Sequence, residues 1–390
     1  IVFMTLSYKT IPISVPAVSG NEWKYIKECL DTGWVSSAGK FVDQFEQEIA
    51  EYTGANHGIA CVNGTSALQV SLRLAGVLPC DEVIVPTITF IAPVNAIQYN
   101  GATPIFMDAD KYYNLDVEKT IQFIHEETVY KKGFTYNKKT DKRIPAIVPV
   151  HVWGNACWLD ELVEVCEERN IAIIEDASES LGTLYVQGSL KSRHTGTIGK
   201  LGCLSFNGNK IMTTGGGGMI LTNDDRLAEK ARYLTTQAKD DPVRYIHDEI
   251  GYNFRLTNIQ AALGVAQLEQ LSGFLVRRKT IYSNYVAGVK DINGLSIAAV
   301  PEYAENNHWI NILQIDPEVY GRDRETLMSC LEAQGIQARP VWYANHIQKP
   351  FIKCQTYKME NVEKLIENSL CLPSSNQLKE DDILQIISCL

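Results

Sequence analysis

One lysine lies in a short segment whose neighbours could make it a nucleophile. Residues 201–210 read LGCLSFNGNK, and four glycines follow shortly after, at Gly215 to Gly218. We expect two apolar strands joined by a tight turn that carries Lys210, with the second strand at residues 219–222. An amine held between apolar strands is partly desolvated, which favours the neutral form that bonds to an aldehyde cofactor. For this stretch alone, a solvated hairpin lysine beside a flexible glycine loop is the alternative.

A carboxylate at the end of an apolar run is the second candidate. Asp176 follows residues 171–174, which read IAII and predict a buried strand. A buried carboxylate needs a partner. One such partner is a protonated pyridine nitrogen, which makes pyridoxal phosphate an electron sink for carbanions. The other interpretation is a structural carboxylate that caps a helix or pairs with a lysine.

The elements that must position these groups alternate between strand and helix patterns. Buried strands are predicted at 58–62, 82–86, 104–108, 146–150 and 171–174, and helices between them at 67–74, 92–99, 117–127 and 159–169. This alternation predicts an α/β fold whose mostly parallel sheet has helices on both faces. Ligands of such sheets bind beyond the carboxyl ends of the strands. Thr65, Phe90 and Asp176 each come just after such an end.

The rest of the chain divides around this region. Residues 1–18 predict an extended N-terminal arm, since Pro12 and Pro16 forbid a helix there. We expect a large domain over 19–260 and a smaller C-terminal domain over 261–390. Other predicted elements are helices at 21–32, 41–52 and 226–234, an exposed hairpin or loop at 131–143, one long helix at 258–287, a strand at 309–315, and helices at 324–334, 360–368 and 380–389.

Composition excludes some classes of protein. The formal net charge is −10, which argues against a general nucleic-acid binder. The ten cysteines form no CxxC pair, so we expect reduced thiols and neither disulfides nor a metal site. No stretch is long and apolar enough for a membrane span, and the first residues do not resemble a signal peptide. A cytoplasmic location is therefore expected.

Four motifs occur in a consistent order. They are NGTSAL at 63–68, EDASESLG at 175–182, SFNGNK at 205–210 and GYNFRLTNIQAA at 251–262. With them the chain resembles the DegT/DnrJ/EryC1/StrS family of nucleotide-sugar aminotransferases, from about Ile13 into the C-terminal domain. The resemblance implies a fold-type I pyridoxal phosphate-dependent transferase, with a large, mostly parallel-sheet domain and a smaller C-terminal α+β domain.

The resemblance also implies roles for individual residues. Pyridoxal 5′-phosphate would be the cofactor, and pyridoxamine 5′-phosphate would form in the half-reaction. Lys210 would bond to the cofactor and Asp176 would pair with its pyridine nitrogen. The remaining cofactor ligands would be Gly64, Thr65, Ser66 and Ser205 at the phosphate, Phe90 on the ring, and Asn253 reaching the phosphate from the partner subunit of a homodimer.

Three of these residues leave alternatives open. Phe90 could be a core aromatic and Asn253 a loop cap. Glu179 stands where many members of the family have glutamine or histidine. It would lie near the cofactor hydroxyl, and its role is the least defined of the set.

The segments at 34–37 and 245–249 and the run from 205 to the glycines resemble one branch of the family. That branch transfers an amino group from L-glutamate to C4 of a UDP-4-keto-6-deoxy-N-acetylhexosamine, for bacillosamine or legionaminic acid in polysaccharide biosynthesis. Perosamine synthases, which use GDP-4-keto-6-deoxymannose, share much of the pattern. Ping-pong kinetics are expected. Candidate substrate contacts are Ser37, His308, Arg339 and His346, although a lone histidine is more often structural.

Three rival functions are weighed against this one. A dehydratase of the same fold would carry histidine in place of Lys210. A regulator that binds the cofactor without catalysis would need an appended DNA-binding domain, for which neither end of this sequence offers room or basic charge. A non-catalytic nucleotide-sugar or pyridoxal phosphate-binding protein would not need Lys210 and Asp176 together.

Overall fold

The computed structural model describes residues 10–241 and 243–390, so residues 1–9 of the predicted arm lie outside the described part. Its strands are β1 His57–Cys61, β2 Glu82–Pro86, β3 Thr103–Met107, β4 Thr128–Lys131, β5 Phe134–Asn137, β6 Ala146–Ile147, β7 Ala172–Asp176, β8 Leu184–Tyr185, β9 Leu201–Ser205, β10 Gly218–Thr222, β11 Leu295–Ile297, β12 Ala304–Glu305, β13 Asn311–Ile315, β14 Arg339–Pro340, β15 Gln355–Tyr357 and β16 Ser369–Leu372.

The helices lie between these strands and flank them. They are α1 Glu22–Thr32, α2 Lys40–Thr53, α3 Gly64–Leu74, α4 Ile91–Tyr99, α5 Val117–Glu126, α6 Asp160–Glu168, α7 Asp225–Thr235, α8 Asn258–Leu268, α9 Leu271–Val289, α10 Pro317–Tyr320, α11 Arg324–Ala333, α12 Val362–Glu367 and α13 Glu380–Ser388.

The large sheet has eight strands within the described residues, in the order β1-β10-β9-β7-β6-β2-β3-β15. The strands from β9 to β15 run parallel to one another, whereas β10 is antiparallel to both β1 and β9. Short apolar runs form these strands because both of their faces are buried, as in β2, where every residue is buried. The predicted α/β fold with a mostly parallel sheet is confirmed.

Helices cover both faces of this sheet. Successive residues of β7 point to opposite sides: Ile174 packs in one apolar cluster with Val70 of α3, and Ile173 in another with Leu162 of α6. The sheet is therefore the middle layer of three. This arrangement brings the carboxyl ends of its parallel strands to one edge.

A second sheet lies in the C-terminal part of the chain. Its strands are antiparallel in the order β11-β13-β16-β14. Side chains from α9, α11 and α13 cover it, among them Ile281, Leu327 and Ile386. In the described residues, the strands of this second sheet come after residue 260, and those of the large sheet come before it except for β15. The domain boundary near residue 260 stays a prediction.

Two local predictions are wrong. The long helix predicted at 258–287 is two helices, α8 and α9, which break at Glu269 and Gln270. The side chains of these two residues are tied to the α1 region: Tyr25 donates to Glu269 at 2.6 Å, and Gln270 donates to Glu22 at 2.8 Å. Lys210 was predicted to lie at a tight turn, but it lies in the long connection 206–217 between β9 and β10. The hairpin or loop predicted at 131–143 overlaps the hairpin that β4 and β5 form at residues 128–137.

Candidate active site

A cavity of about 450 Å³ lies at the carboxyl ends of the parallel strands. Of the residues predicted for the site, the structure brings these to its lining: Gly64, Thr65, Phe90, Asp176, Glu179, Ser205, Lys210 and Arg339. They come from five separate parts of the chain, so the fold assembles them. The predicted residues that do not line this cavity are Ser37, Ser66, Asn253, His308 and His346.

One end of the cavity is formed by the N-terminus of α3. Asn63 caps this helix by accepting a hydrogen bond from the backbone N–H of Ser66 at 2.8 Å. The helix begins at Gly64, and a Cβ atom there would come within 2.9 Å of the Ser205 side chain. A helix N-terminus attracts anions through its unpaired N–H groups and its dipole. Gly64, Thr65 and Ser205 therefore form a cradle suited to a phosphate group.

Lys210 has two charge-dependent contacts in the cavity. Its Nζ lies 3.4 Å from Oε1 of Glu179 and 4.1 Å from the ring centroid of Trp309. The side chain is 11% exposed, so its amine reaches the cavity while its stem is buried. The lysine is therefore partly buried, as the sequence predicts.

Two carboxylates are buried beside the lysine. Asp176 ends β7 and accepts a hydrogen bond from the backbone N–H of Ser178 at 3.0 Å. Burial raises its pKa, and the Ser178 hydrogen bonds and the charge of Lys210 oppose this rise. Burial likewise raises the pKa of Glu179 to about 7, and its second oxygen accepts the backbone N–H of Trp153 at 3.0 Å. A cation placed against Asp176 would stabilise the ionised form of this buried carboxylate.

Sequence reasoning missed an aromatic wall on the cavity. Trp153 stacks on Trp342 with ring centroids 4.0 Å apart, and Trp309 lies 6.0 Å from Trp153. Phe90, at 54% exposed, faces Trp342 at 6.1 Å and is therefore not a core aromatic. Trp153 adopts a φ of 59°. No local pattern signals this wall, because its members come from distant parts of the chain.

The two candidate histidines make other contacts. His308 is buried, stacks on Tyr282 at 4.4 Å between ring centroids, and has a pKa lowered to about 4 by burial. His346 pairs with the hydroxyl of Thr87 at 2.7 Å. His308 is thus packed in the protein interior, and His346 is partly buried. Arg339, by contrast, is exposed at the cavity edge.

Ser37 and Asn253 lie away from the cavity of their own chain. Ser37 is partly exposed in the loop that follows α1. Asn253 is exposed and forms an isolated bridge with Thr236. Both roles predicted for Asn253, a loop cap and a phosphate ligand from the partner subunit, stay predictions.

These residues fit pyridoxal phosphate. The cofactor carries a phosphate, an aldehyde and a pyridine nitrogen, and the cavity offers a helix N-terminus, a lysine amine and a buried carboxylate for them. A Cβ at position 64 or 218 would meet neighbouring atoms at 2.9 Å or less, so the glycines let β9 and β10 pack closely against the N-terminus of α3. Within residues 10–241 and 243–390, no group of three or more His, Cys, Asp or Glu side chains is arranged to hold a metal.

Comparison with known proteins gives the same class. The profile of the DegT/DnrJ/EryC1/StrS aminotransferase family matches residues 16–390, so the chain belongs to this family. It is a pyridoxal phosphate-dependent aminotransferase. In the described part of the chain, no helix has the length and apolarity needed to cross a bilayer.

Individual relatives match over nearly the whole chain. The chain is 38% identical to a GDP-perosamine synthase of Caulobacter vibrioides over 382 residues, 97% of each protein. It is 36% identical to a GDP-perosamine synthase of Escherichia coli O157:H7, also over 97% of each. A crystal structure of a DegT DnrJ EryC1 StrS aminotransferase from Brucella abortus superposes with a TM-score of 0.84 at 28% identity, covering 95% of this chain and 94% of that one.

Proposed function

We propose that this chain transfers an amino group from L-glutamate to C4 of a nucleotide-linked 4-keto-6-deoxy sugar. The observation that carries the proposal is that Lys210, Asp176 and the α3 N-terminus line one cavity. A protein that only bound nucleotide sugars would have no use for this combination. The lysine also separates the chain from the related dehydratases, which carry histidine at that position.

Each residue of the site has a role that follows from its chemistry. Gly64, Thr65 and Ser205 bind the phosphate of the cofactor at the helix N-terminus. Asp176 keeps the pyridine nitrogen protonated, because an ionised carboxylate in a buried site favours a cation beside it. When bound, pyridoxal phosphate supplies an electron sink for the carbanion formed at the carbon that carries the amine.

Proton transfer falls to Lys210. Its Nζ would move the proton from Cα of the amino donor to C4′ of the cofactor, acting first as base and then as acid. Glu179, 3.4 Å away, orients that amine. The stacked rings of Trp153 and Trp342 line this part of the cavity.

The nucleotide is the open part of the proposal. The names of the relatives from Caulobacter vibrioides and Escherichia coli support GDP-4-keto-6-deoxymannose, the substrate of perosamine synthases. The segments at 34–37 and 245–249 resemble the branch that uses UDP-4-keto-6-deoxy-N-acetylhexosamines. Because identity over the whole chain outweighs two short segments, we favour the GDP sugar, and the UDP sugar is the second candidate.

A substrate panel tests this choice. The purified protein is given L-glutamate with each 4-keto nucleotide sugar in turn, and the product is identified by mass and NMR. Amination of the GDP sugar with a kcat/KM at least about tenfold above that of the UDP sugar supports the first candidate. The reverse ratio supports the second, and amination of neither sugar contradicts the proposed function.

We also propose that the active unit is a homodimer with shared sites. Two features support it: Asn253 is exposed on its own chain, and apolar side chains are exposed in the neighbouring loop, with Val243 at 82% and Ile250 at 80%. Exposed apolar side chains near one another are typical of subunit interfaces. In such a dimer the side chain of Asn253 would reach the phosphate cradle of the other subunit.

A further inference from the structure

Trp309 contacts both the backbone and the amine of the lysine segment. Its indole Nε1–H donates a hydrogen bond of 2.7 Å to the carbonyl oxygen of Asn209, the residue before Lys210. The face of the same ring lies 4.1 Å from Nζ of Lys210. The ring is 2% exposed, so these contacts are shielded from solvent. One side chain from the C-terminal part of the chain thus contacts the amine of Lys210 and the backbone of the residue before it.

The turn that carries Trp309 also reaches the Glu179 segment. In this 306–309 turn, the side-chain amide of Asn307 donates to the carbonyl oxygens of Glu179 at 2.8 Å and Leu181 at 2.9 Å. The other end of that amide accepts the backbone N–H of Trp309 at 3.0 Å. The turn therefore spans the two segments whose side chains, Glu179 and Lys210, meet in the cavity.

A buried arginine holds the turn from behind. Arg278 of α9 is 1% exposed. It donates to the carbonyl oxygens of Trp309, at 2.8 Å, and Ser374. Burial lowers the pKa of Arg278 to about 9. A charge is costly to bury without hydrogen bonds, and one of the hydrogen bonds that Arg278 donates fixes the backbone of Trp309.

We propose that Trp309 is a positioning residue for Lys210. The indole N–H fixes the lysine segment through Asn209, and the ring face holds the amine beside Glu179. This inference rests on the proposed function, since it concerns the nucleophile of that reaction. It assigns to the C-terminal part of the chain a direct part in setting the position of the lysine.

Two substitutions separate the two contacts. Trp309→Phe keeps a ring face and removes the N–H, whereas Trp309→Leu removes both. Trp158→Phe is the matched control, because the indole N–H of Trp158 bonds to Glu161 and its ring lies outside the cavity lining. The holoenzymes are titrated with pH while the visible absorbance of the bound cofactor is followed, since that band reports protonation of the lysine nitrogen.

The expected results differ between the variants. Trp309→Leu should move the absorbance midpoint to lower pH by about half a unit to one unit, from the strength of a partly desolvated cation–π contact. Trp309→Phe should move it by less than about 0.3 unit, because the ring face remains. Both should lower kcat by about tenfold or more with less than about threefold change in KM for glutamate, since the lysine is misplaced. Trp158→Phe should match the wild type.

The proposal is overturned if folded Trp309→Leu holoenzyme keeps the wild-type midpoint and kcat. Should the leucine variant fail to fold, the phenylalanine variant decides alone: a lower kcat at an unchanged midpoint supports the role of the N–H, and a wild-type kcat refutes it. If the wild-type protein itself shows no visible band fixed to Lys210, the proposed function fails instead. The two failures are therefore distinguishable.

Discussion

The glycine at position 218 provides a sharp test of how the fold builds the phosphate cradle. Gly218 starts β10 and lies against the peptide between Asn63 and Gly64, where α3 begins. A Cβ atom on Gly218 would come within 2.5 Å of the carbonyl carbon and oxygen of Asn63 and 2.6 Å of the nitrogen of Gly64. These are backbone atoms, which cannot rotate away, so the helix N-terminus must move by about 1 Å to restore normal contact.

We therefore expect Gly218→Ala to lower both the stability of the fold and the affinity for the cofactor. Overpacking against fixed atoms typically costs 1–3 kcal/mol, and contact with backbone puts this case at about 3 kcal/mol of unfolding free energy. The displaced cradle should weaken binding of pyridoxal phosphate by about tenfold or more. Urea unfolding of the apoprotein measures the first effect, and titration with the cofactor measures the second.

The chain supplies a matched control two positions away. A Cβ on Gly216 would meet only the side-chain nitrogen of Gln260, at the ordinary distance of 3.7 Å. Gly216→Ala should therefore stay within about 0.5 kcal/mol of the wild type. If Gly218→Ala proves as stable as Gly216→Ala and binds the cofactor equally well, the cradle is not built in the way described.

Two further predictions concern Glu179 and the subunit interface. Burial raises the pKa of Glu179 from 4.5 to about 7, so its stabilising contribution is present below pH 4.5 and is lost as the pH rises through 7. Glu179→Gln should remove this pH dependence, which is worth about 3 kcal/mol in urea unfolding of the apoprotein. An unchanged dependence of the unfolding free energy on pH would contradict this prediction. If each site takes Lys210 from one subunit and Asn253 from the other, mixing the Lys210→Ala and Asn253→Ala proteins should restore about a quarter of the wild-type sites. No recovery of activity after subunit exchange would contradict a shared site.

The layered fold could be read from the sequence because its signals are local. The strands predicted at 58–62, 82–86 and 104–108 are short apolar runs bounded by turn residues, and a helical pattern follows each of them. The residues that follow the strand ends, Thr65, Phe90 and Asp176, line one cavity for the same reason. Parallel strands bring their carboxyl ends together whatever the details of packing.

What the sequence could not reveal depends on contacts between distant segments. The break between α8 and α9 follows from hydrogen bonds to the α1 region, and helical periodicity carries no trace of them. The contact of Trp309 with Lys210 requires the C-terminal part of the chain to fold back over the large sheet. His308 was a plausible ligand by residue type, but its ring packs on Tyr282 because the 306–309 turn points it inward.

The claim on which the account depends is that Lys210 and Asp176 hold opposite sides of one cofactor ring. A crystal structure of the purified holoenzyme measures this most directly. The account predicts continuous density from Nζ of Lys210 to the cofactor, and a carboxylate oxygen of Asp176 within hydrogen-bond distance of the pyridine nitrogen. A cofactor joined to another lysine, or a ring whose nitrogen faces away from Asp176, would contradict it.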